Sequence, residues 1–254
     1  RNRAGGLHGH FPVLQTECAT MRYTHLLFDL DGTLFDFQRA QRRAFFRTMA
    51  DFSVLAGDEL LARYDQINHD LWEALERREI TRERLLPERF ARLAAEGGFS
   101  YDPAQVNDCY LRHLALGADL VEGAKETLDR LRGRVLLATA SNGVGVTQRR
   151  RLEDSGLLPY FSVLNISEEI GFEKPDPRFF ARALQRCGDP DPRAVLLIGD
   201  SLSADIAGGI AAGLDTCWFN PGHLAAGTLA PTYTVDRLAA LCDVAESSAT
   251  HTVL

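Results

Sequence analysis

The stretch Leu26-Leu27-Phe28-Asp29-Leu30-Asp31-Gly32-Thr33-Leu34-Phe35 decides the fold. Its apolar run, preceded by Tyr23 and Thr24 and cut off by Gly32, predicts a short buried strand that ends in a sharp turn. Two carboxylates therefore stand at a strand's carboxyl end. Side chains alternate across a strand, so Asp29 and Asp31 are expected on one face. Two acids converging on one point repel each other unless a cation, a shared proton or a substrate makes use of them. The plain alternative is a polar turn closing a strand, since Asp and Gly serve turns for backbone reasons alone.

The remainder of the chain favours the first reading. From Gly117 onward short apolar segments alternate with helical ones: a helix marked by Ala124, Leu128 and Leu131, a strand over 134–140 ending at Ser141-Asn142-Gly143, and a helix over 146–155. A weaker strand over 162–166, Glu173-Lys174-Pro175, a helix over 177–187, a strand over 195–198 closed by Gly199-Asp200-Ser201, a helix over 204–212 and a strand over 216–219 follow. This alternation builds βαβ units, hence an α/β fold with a mainly parallel sheet covered by helices on both faces. Sites in such sheets form at the carboxyl ends of the strands. Collected there are Asp29, Asp31, Ser141, Asn142, Lys174, Asp200 and Asp205.

Between Gln38 and about Leu116 the pattern is helical and charged, with segments near 38–50, 57–76, 81–95 and 103–115. This predicts a helical domain over 37–116 inserted into a core of 21–36 and 117–245. Within it Tyr64, Asn68 and Trp72 recur every four residues, which gives one helix an aromatic and polar stripe. A buried Asn beside Trp needs hydrogen-bond partners once it leaves water. Residues 1–20, with His8 and His10 ahead of Met21, read as a disordered leader or tag, and 246–254 as a tail.

A chain of 254 residues with 28 basic and 35 acidic side chains has room for a full core and carries no long basic block, which argues against a nucleic-acid polymer as partner. Cys18, Cys109, Cys187, Cys217 and Cys242 form no Cys-x-x-Cys pair and are expected to be reduced thiols. With no bilayer-spanning apolar run and no signal-peptide core, the expectation is a cytoplasmic protein without membrane contact, a monomer or dimer.

The strand-end set has a chemical logic. Cleaving a phosphate monoester takes a nucleophile, neutralisation of the phosphoryl oxygens and a proton for the leaving oxygen. Asp29 can attack to form an aspartyl-phosphate, and Asp31 can protonate the leaving alkoxide and then take a proton from water. Asp29 with Asp200 offers an oxygen-rich site for Mg²⁺, while Lys174, the Ser141 hydroxyl and backbone N–H groups near Asn142 hold the remaining oxygens.

The segments Asp29-Leu30-Asp31-Gly32-Thr33-Leu34, Ser141-Asn142-Gly143, Lys174-Pro175-Asp176 and Gly199-Asp200-Ser201 with Asp205 resemble, in order, the four motifs of the haloacid dehalogenase superfamily. The resemblance implies a Rossmann-like core and a Mg²⁺-dependent aspartyl-phosphate mechanism. It makes Asp29 the nucleophile and Asp31 the acid/base and a metal ligand through its backbone carbonyl. Ser141 and Lys174 become phosphate ligands, Asp200 a metal ligand and Asp205 the residue that orients the metal's water shell. The insert resembles that superfamily's helical cap, a lid over the substrate. Leu34–Phe37, Tyr64–Trp72, Ile166–Gly171 and Ala204–Trp218 are similar to bacterial pyrimidine-type nucleoside 5′-monophosphate phosphatases. This similarity makes Phe35, Phe37, Asn68 and Trp72 candidates for stacking on, or hydrogen-bonding to, a base.

Three rival readings remain open at this level. A 2-haloacid dehalogenase uses the same nucleophile but gives Asp31 and Asp200 no task. A phosphoglycolate or sugar-phosphate phosphatase differs only in the cap. A non-catalytic binding module is favoured by the loss of a motif, and none is lost. The expected partner is a small phosphorylated molecule, a nucleoside monophosphate in the leading reading.

Overall fold

The computed structural model describes residues 20–246. The expected leader with His8, His10 and Cys18, and the tail from 247 onward, lie outside the described residues. The chain opens with β1 (His25–Phe28), then runs through four helices, α1 (Phe37–Asp51), α2 (Asp58–Glu76), α3 (Arg82–Gly97) and α4 (Pro103–Leu114). It returns through α5 (Ala124–Leu131), β2 (Leu136–Ser141), α6 (Gly145–Asp154), β3 (Val163–Ile166), α7 (Ser167–Ile170), α8 (Pro177–Arg186) and β4 (Val195–Gly199). Next come α9 (Gly208–Ala211), β5 (Asp215–Phe219), β6 (Tyr233–Val235) and α10 (Leu241–Glu246).

Six strands form one parallel sheet in the order β3-β2-β1-β4-β5-β6. The strand carrying Asp29 is thus central, flanked by the strands that lead into Ser141 and Asp200. Alternation along β1 sorts its side chains between two cores. Leu26 and Phe28 pack with Leu128 and Leu131 of α5 and Leu241 of α10, while Leu27 packs with Phe179, Phe180 and Ala183 of α8. The sheet is buried on both faces, which is why its strands read as continuous apolar runs.

The four inserted helices have a core of their own, centred on Phe45, Tyr64, Phe90 and Tyr110. Their rings meet at centroid distances of 5.0 to 5.7 Å, the spacing of attractive aromatic packing. Helix α1 starts where the Asp36 carboxylate accepts the Arg39 backbone N–H at 3.0 Å.

Two features depart from the sequence expectation. The helix expected over 204–212 is instead a π-helical turn, Leu202–Ala207, followed by the short α9. Ser201 is the cause: its carbonyl accepts N–H groups from both Asp205 and Ile206, its hydroxyl accepts the Ala204 N–H, and its own N–H donates to Asp205. The widened turn presents Asp205 to the sheet's carboxyl edge, a placement typical of π-bulges at working sites. Strand β6 and helix α10 were also not anticipated, being only three and six residues long.

Candidate active site

The carboxyl ends of β1, β2 and β4 and the loop before α8 converge beneath the inserted helices, around a cavity of about 270 Å³. Asp29, Asp31, Ser141, Asn142, Lys174, Asp200 and Asp205 line one side, and Phe37, Asn68 and Trp72 the other. Phe35 is the exception. The Leu30 carbonyl accepts the N–H groups of Leu34 and Phe35 at 2.9 and 2.8 Å, which folds Phe35 back into the sheet core, fully buried. Its ring lies under the Arg151 guanidinium at 4.3 Å and takes no part in the cleft.

The Lys174 ammonium is 2.7 Å from Asp29 and 2.6 Å from Asp205, with almost no exposure. Burial alone would lower this ammonium, but the two carboxylates more than reverse that and hold it above its usual range. Lys174 is held in turn by Asn142, whose side-chain oxygen accepts the Lys174 N–H and whose amide donates to the Lys174 carbonyl, both at 2.8 Å. The Asn142 side chain is thereby committed to the Lys174 loop, and what it retains for an anion is its backbone.

Asp29, Asp200 and Asp205 bring carboxylate oxygens within 4.8 Å of one another. Burial, then the neighbouring Asp205 and Asp200, push Asp29 well above the usual carboxylate range, although Lys174 works against this. The cleft walls, then Asp205, push Asp200 up to about 7. One ammonium does not balance three crowded carboxylates, and hard oxygen donors in this arrangement suit a divalent cation such as Mg²⁺. The crowding depends on two glycines. A Cβ on Gly199 would stand 2.2 Å from the Asp205 carboxyl, and one on Gly32, where φ is +85°, would stand 2.4 Å from Asp200.

Asp31 is held apart from this cluster. Gln148 donates to it at 2.6 Å, and the fully buried Arg151 donates to its other oxygen while binding the Gly117 carbonyl at 2.8 Å. The same Gln148 amide reaches the Ser141 hydroxyl at 2.9 Å. Gln148 and Arg151 lie three residues apart, hence on one face of α6. Sequence reasoning missed both, as it missed Arg82 and Arg89 of α3, because charged and amide side chains on helices ordinarily face water. No local signal in the sequence distinguishes Arg151 from the exposed Arg149 and Arg150 beside it.

The match to the haloacid dehalogenase-like hydrolase family extends over residues 23–213. The chain belongs to that family and is a hydrolase. It is 39% identical to the pyrimidine 5′-nucleotidase PynA of Streptococcus pneumoniae over 217 residues, 85% of this chain and 92% of that one. To the pyrimidine 5′-nucleotidase YjjG of Escherichia coli it is 36% identical over 219 residues, 86% of this chain and 96% of that one. The crystal structure of YfnB from Bacillus subtilis, bound to magnesium, superimposes with a TM-score of 0.85 at 38% identity, over 89% of this chain and 100% of that one. Among the described residues no helix is long and apolar enough to cross a membrane.

Proposed function

We propose that the protein hydrolyses nucleoside 5′-monophosphates, pyrimidine nucleotides preferentially, through an aspartyl-phosphate on Asp29. The observation that carries this is the two-sided cleft: Asp29, Asp31 and Lys174 on its floor, and Phe37, Asn68 and Trp72 facing them from the cap. The names of PynA and YjjG support the choice of substrate.

In this reading an Asp29 oxygen bonds to phosphorus as the bond from phosphorus to the sugar 5′-oxygen breaks. Asp31 gives its proton to the departing alkoxide, then takes one from the water that attacks the phospho-aspartate. Asp29 is restored and inorganic phosphate leaves. Lys174, the Ser141 hydroxyl and the Asn142 backbone hold the phosphoryl oxygens. Asp29, Asp200 and the Asp31 backbone carbonyl are the groups that would hold Mg²⁺, with Asp205 behind them. Such an ion, present in the YfnB structure, supplies charge neutralisation that lets a carboxylate approach a dianion. Phe37 and Trp72 offer flat apolar surface to a base, and stacking accepts several rings, so specificity is broad. A dehalogenase would leave Asp31, with its Gln148 and Arg151 supports, without a task.

The test is phosphate release from UMP, dUMP, dTMP, AMP, phosphoglycolate and glucose phosphates, with Mg²⁺ or with chelator, in wild type and Asp29→Asn. Highest activity on pyrimidine monophosphates, lost with chelator and in the variant, is expected. Preference for a non-nucleotide refutes the substrate assignment, and turnover surviving in Asp29→Asn refutes the mechanism.

A further inference from the structure

Arg89, in α3, is 4% exposed on the cap side of the cleft. Its guanidinium donates to the Leu86 carbonyl at 3.1 Å, to Asn68 Oδ1 at 3.2 Å and to Asn107 Oδ1 at 2.8 Å, and lies 4.7 Å from the centre of the Tyr110 ring. All three oxygens are neutral, and among the described residues no carboxylate forms an ion pair with Arg89. A buried cation ordinarily has a counter-charge. This one stands across the cavity from the catalytic carboxylates without one.

The consequence falls on Asn68. A guanidinium can only donate, so the atom Asn68 turns to Arg89 must be its carbonyl oxygen. Its NH₂ is therefore left for the cleft, which Asn68 lines while 8% exposed. An unconstrained amide can rotate to offer either atom; this one is locked as a donor. Asn68 therefore turns a donor to the cleft, beside the Trp72 ring one helical turn along α2, while the Glu76 carboxylate lines the same cavity one turn further on.

We propose that Arg89 is a positioning residue that fixes Asn68 as a donor, so that the pair reads a keto oxygen of the base. This inference rests on the nucleotide reading above. The C2 keto oxygen is common to uracil, thymine and cytosine and is missing from adenine. A fixed donor at Asn68 thereby favours pyrimidines as a class over AMP without distinguishing strongly among them. Shape alone would not achieve this, because a cavity that accepts a flat ring tolerates many rings, whereas an unpaired buried donor penalises the wrong one.

The test is Asn68→Asp, which keeps the size of the side chain and its contact with Arg89 but replaces the NH₂ by an acceptor oxygen. We expect kcat/KM for UMP and dTMP to fall by about 10- to 100-fold and that for AMP, whose ring has no keto oxygen, to fall less, so that the UMP-to-AMP ratio narrows. Arg89→Met, checked for folding by its melting curve, is expected to narrow the UMP-to-AMP ratio as Asn68 becomes free to turn. If Asn68→Asp slows AMP as much as UMP, or leaves UMP unaffected, the inference is overturned. A wild-type enzyme inactive on every nucleoside monophosphate overturns the substrate reading instead, and this outcome is visible before any variant is made.

Discussion

Lys174 and Asp29 form a buried ion pair, Nζ to Oδ1 at 2.7 Å, at the carboxyl edge of the central strand. The same ammonium also serves Asp205, so one positive charge stands among the three carboxylates of the cluster. Removing one partner of a buried pair typically costs about 3–5 kcal/mol, because the other charge is left uncompensated. Lys174→Met should therefore lower the melting temperature in chelator, and Mg²⁺ should restore more of it in the variant than it adds to wild type. Turnover should fall by about 10²-fold or more, as when a transition-state donor is lost. Calorimetry with and without Mg²⁺ tests the electrostatic part; equal Mg²⁺ effects in both proteins would contradict it.

The grip of Gln148 and Arg151 on Asp31 gives a prediction about leaving groups. A sugar alkoxide needs a proton to depart, whereas p-nitrophenolate does not. Asp31→Asn should slow UMP hydrolysis by about 10²- to 10⁴-fold and p-nitrophenyl phosphate much less. Gln148→Leu, which removes the 2.6 Å contact and the link to Ser141, should reproduce part of that pattern in kcat with little change in KM. A uniform loss on both substrates would mean that Gln148 serves only the fold.

Strand-end residues were legible in the sequence because backbone geometry fixes them. A buried apolar run ended by Asp or Ser and Gly announces both the strand and the polar side chains gathered at its carboxyl end, as at Asp29, Ser141 and Asp200. The residues that brace the site were not legible. Arg149, Arg150 and Arg151 are adjacent in a charged run, yet the first two are surface partners of Glu169 and Asp154 while Arg151 is fully buried against Asp31. Nothing local separates them; the choice depends on which face of α6 meets the sheet. Phe35 misled for a related reason, since only the turn at Leu30 decides that it faces the core. The π-turn at Asp205 depends on hydrogen bonds to Ser201, which periodicity does not register.

Asp176 has a different task from its neighbour Lys174. Its carboxylate accepts the Arg178 N–H at 2.9 Å to cap α8, and it pairs with the Arg178 and Arg78 side chains. The Arg178 side-chain hydrogen bond, against the opposing effect of burial, holds Asp176 below the usual carboxylate range. A group lowered on folding stabilises the fold above its unfolded pKa, near 4, and that contribution fades as pH falls through the folded value. Asp176→Ala should thus cost about 1 kcal/mol at pH 7, and the gap from wild type should narrow below about pH 4. Denaturant midpoints at pH 7 and pH 3 check this; a gap that widens in acid would reverse the assignment.

Arg82 joins the cap to the core. From the first turn of α3 it donates to the Gly143 carbonyl at 2.7 Å and to the Ser167 hydroxyl, pairs with Glu173 at 3.2 Å, and lies 5.9 Å from the centre of the Trp72 ring. Gly143 follows Ser141 and Asn142, and Glu173 precedes Lys174, so this one guanidinium grips both loops that would hold the phosphate. Under the proposed function the inserted helices cover the substrate, so this link has to keep water out and still let product leave. Arg82→Ala should raise KM for UMP several-fold and increase the radius of gyration measured by small-angle scattering, with a melting temperature close to that of wild type because each unit keeps its own core. Arg82→Lys retains the charge but not the fork that reaches three partners, and should resemble the alanine variant more than wild type. Recovery by lysine would reduce the role of Arg82 to that of a point charge.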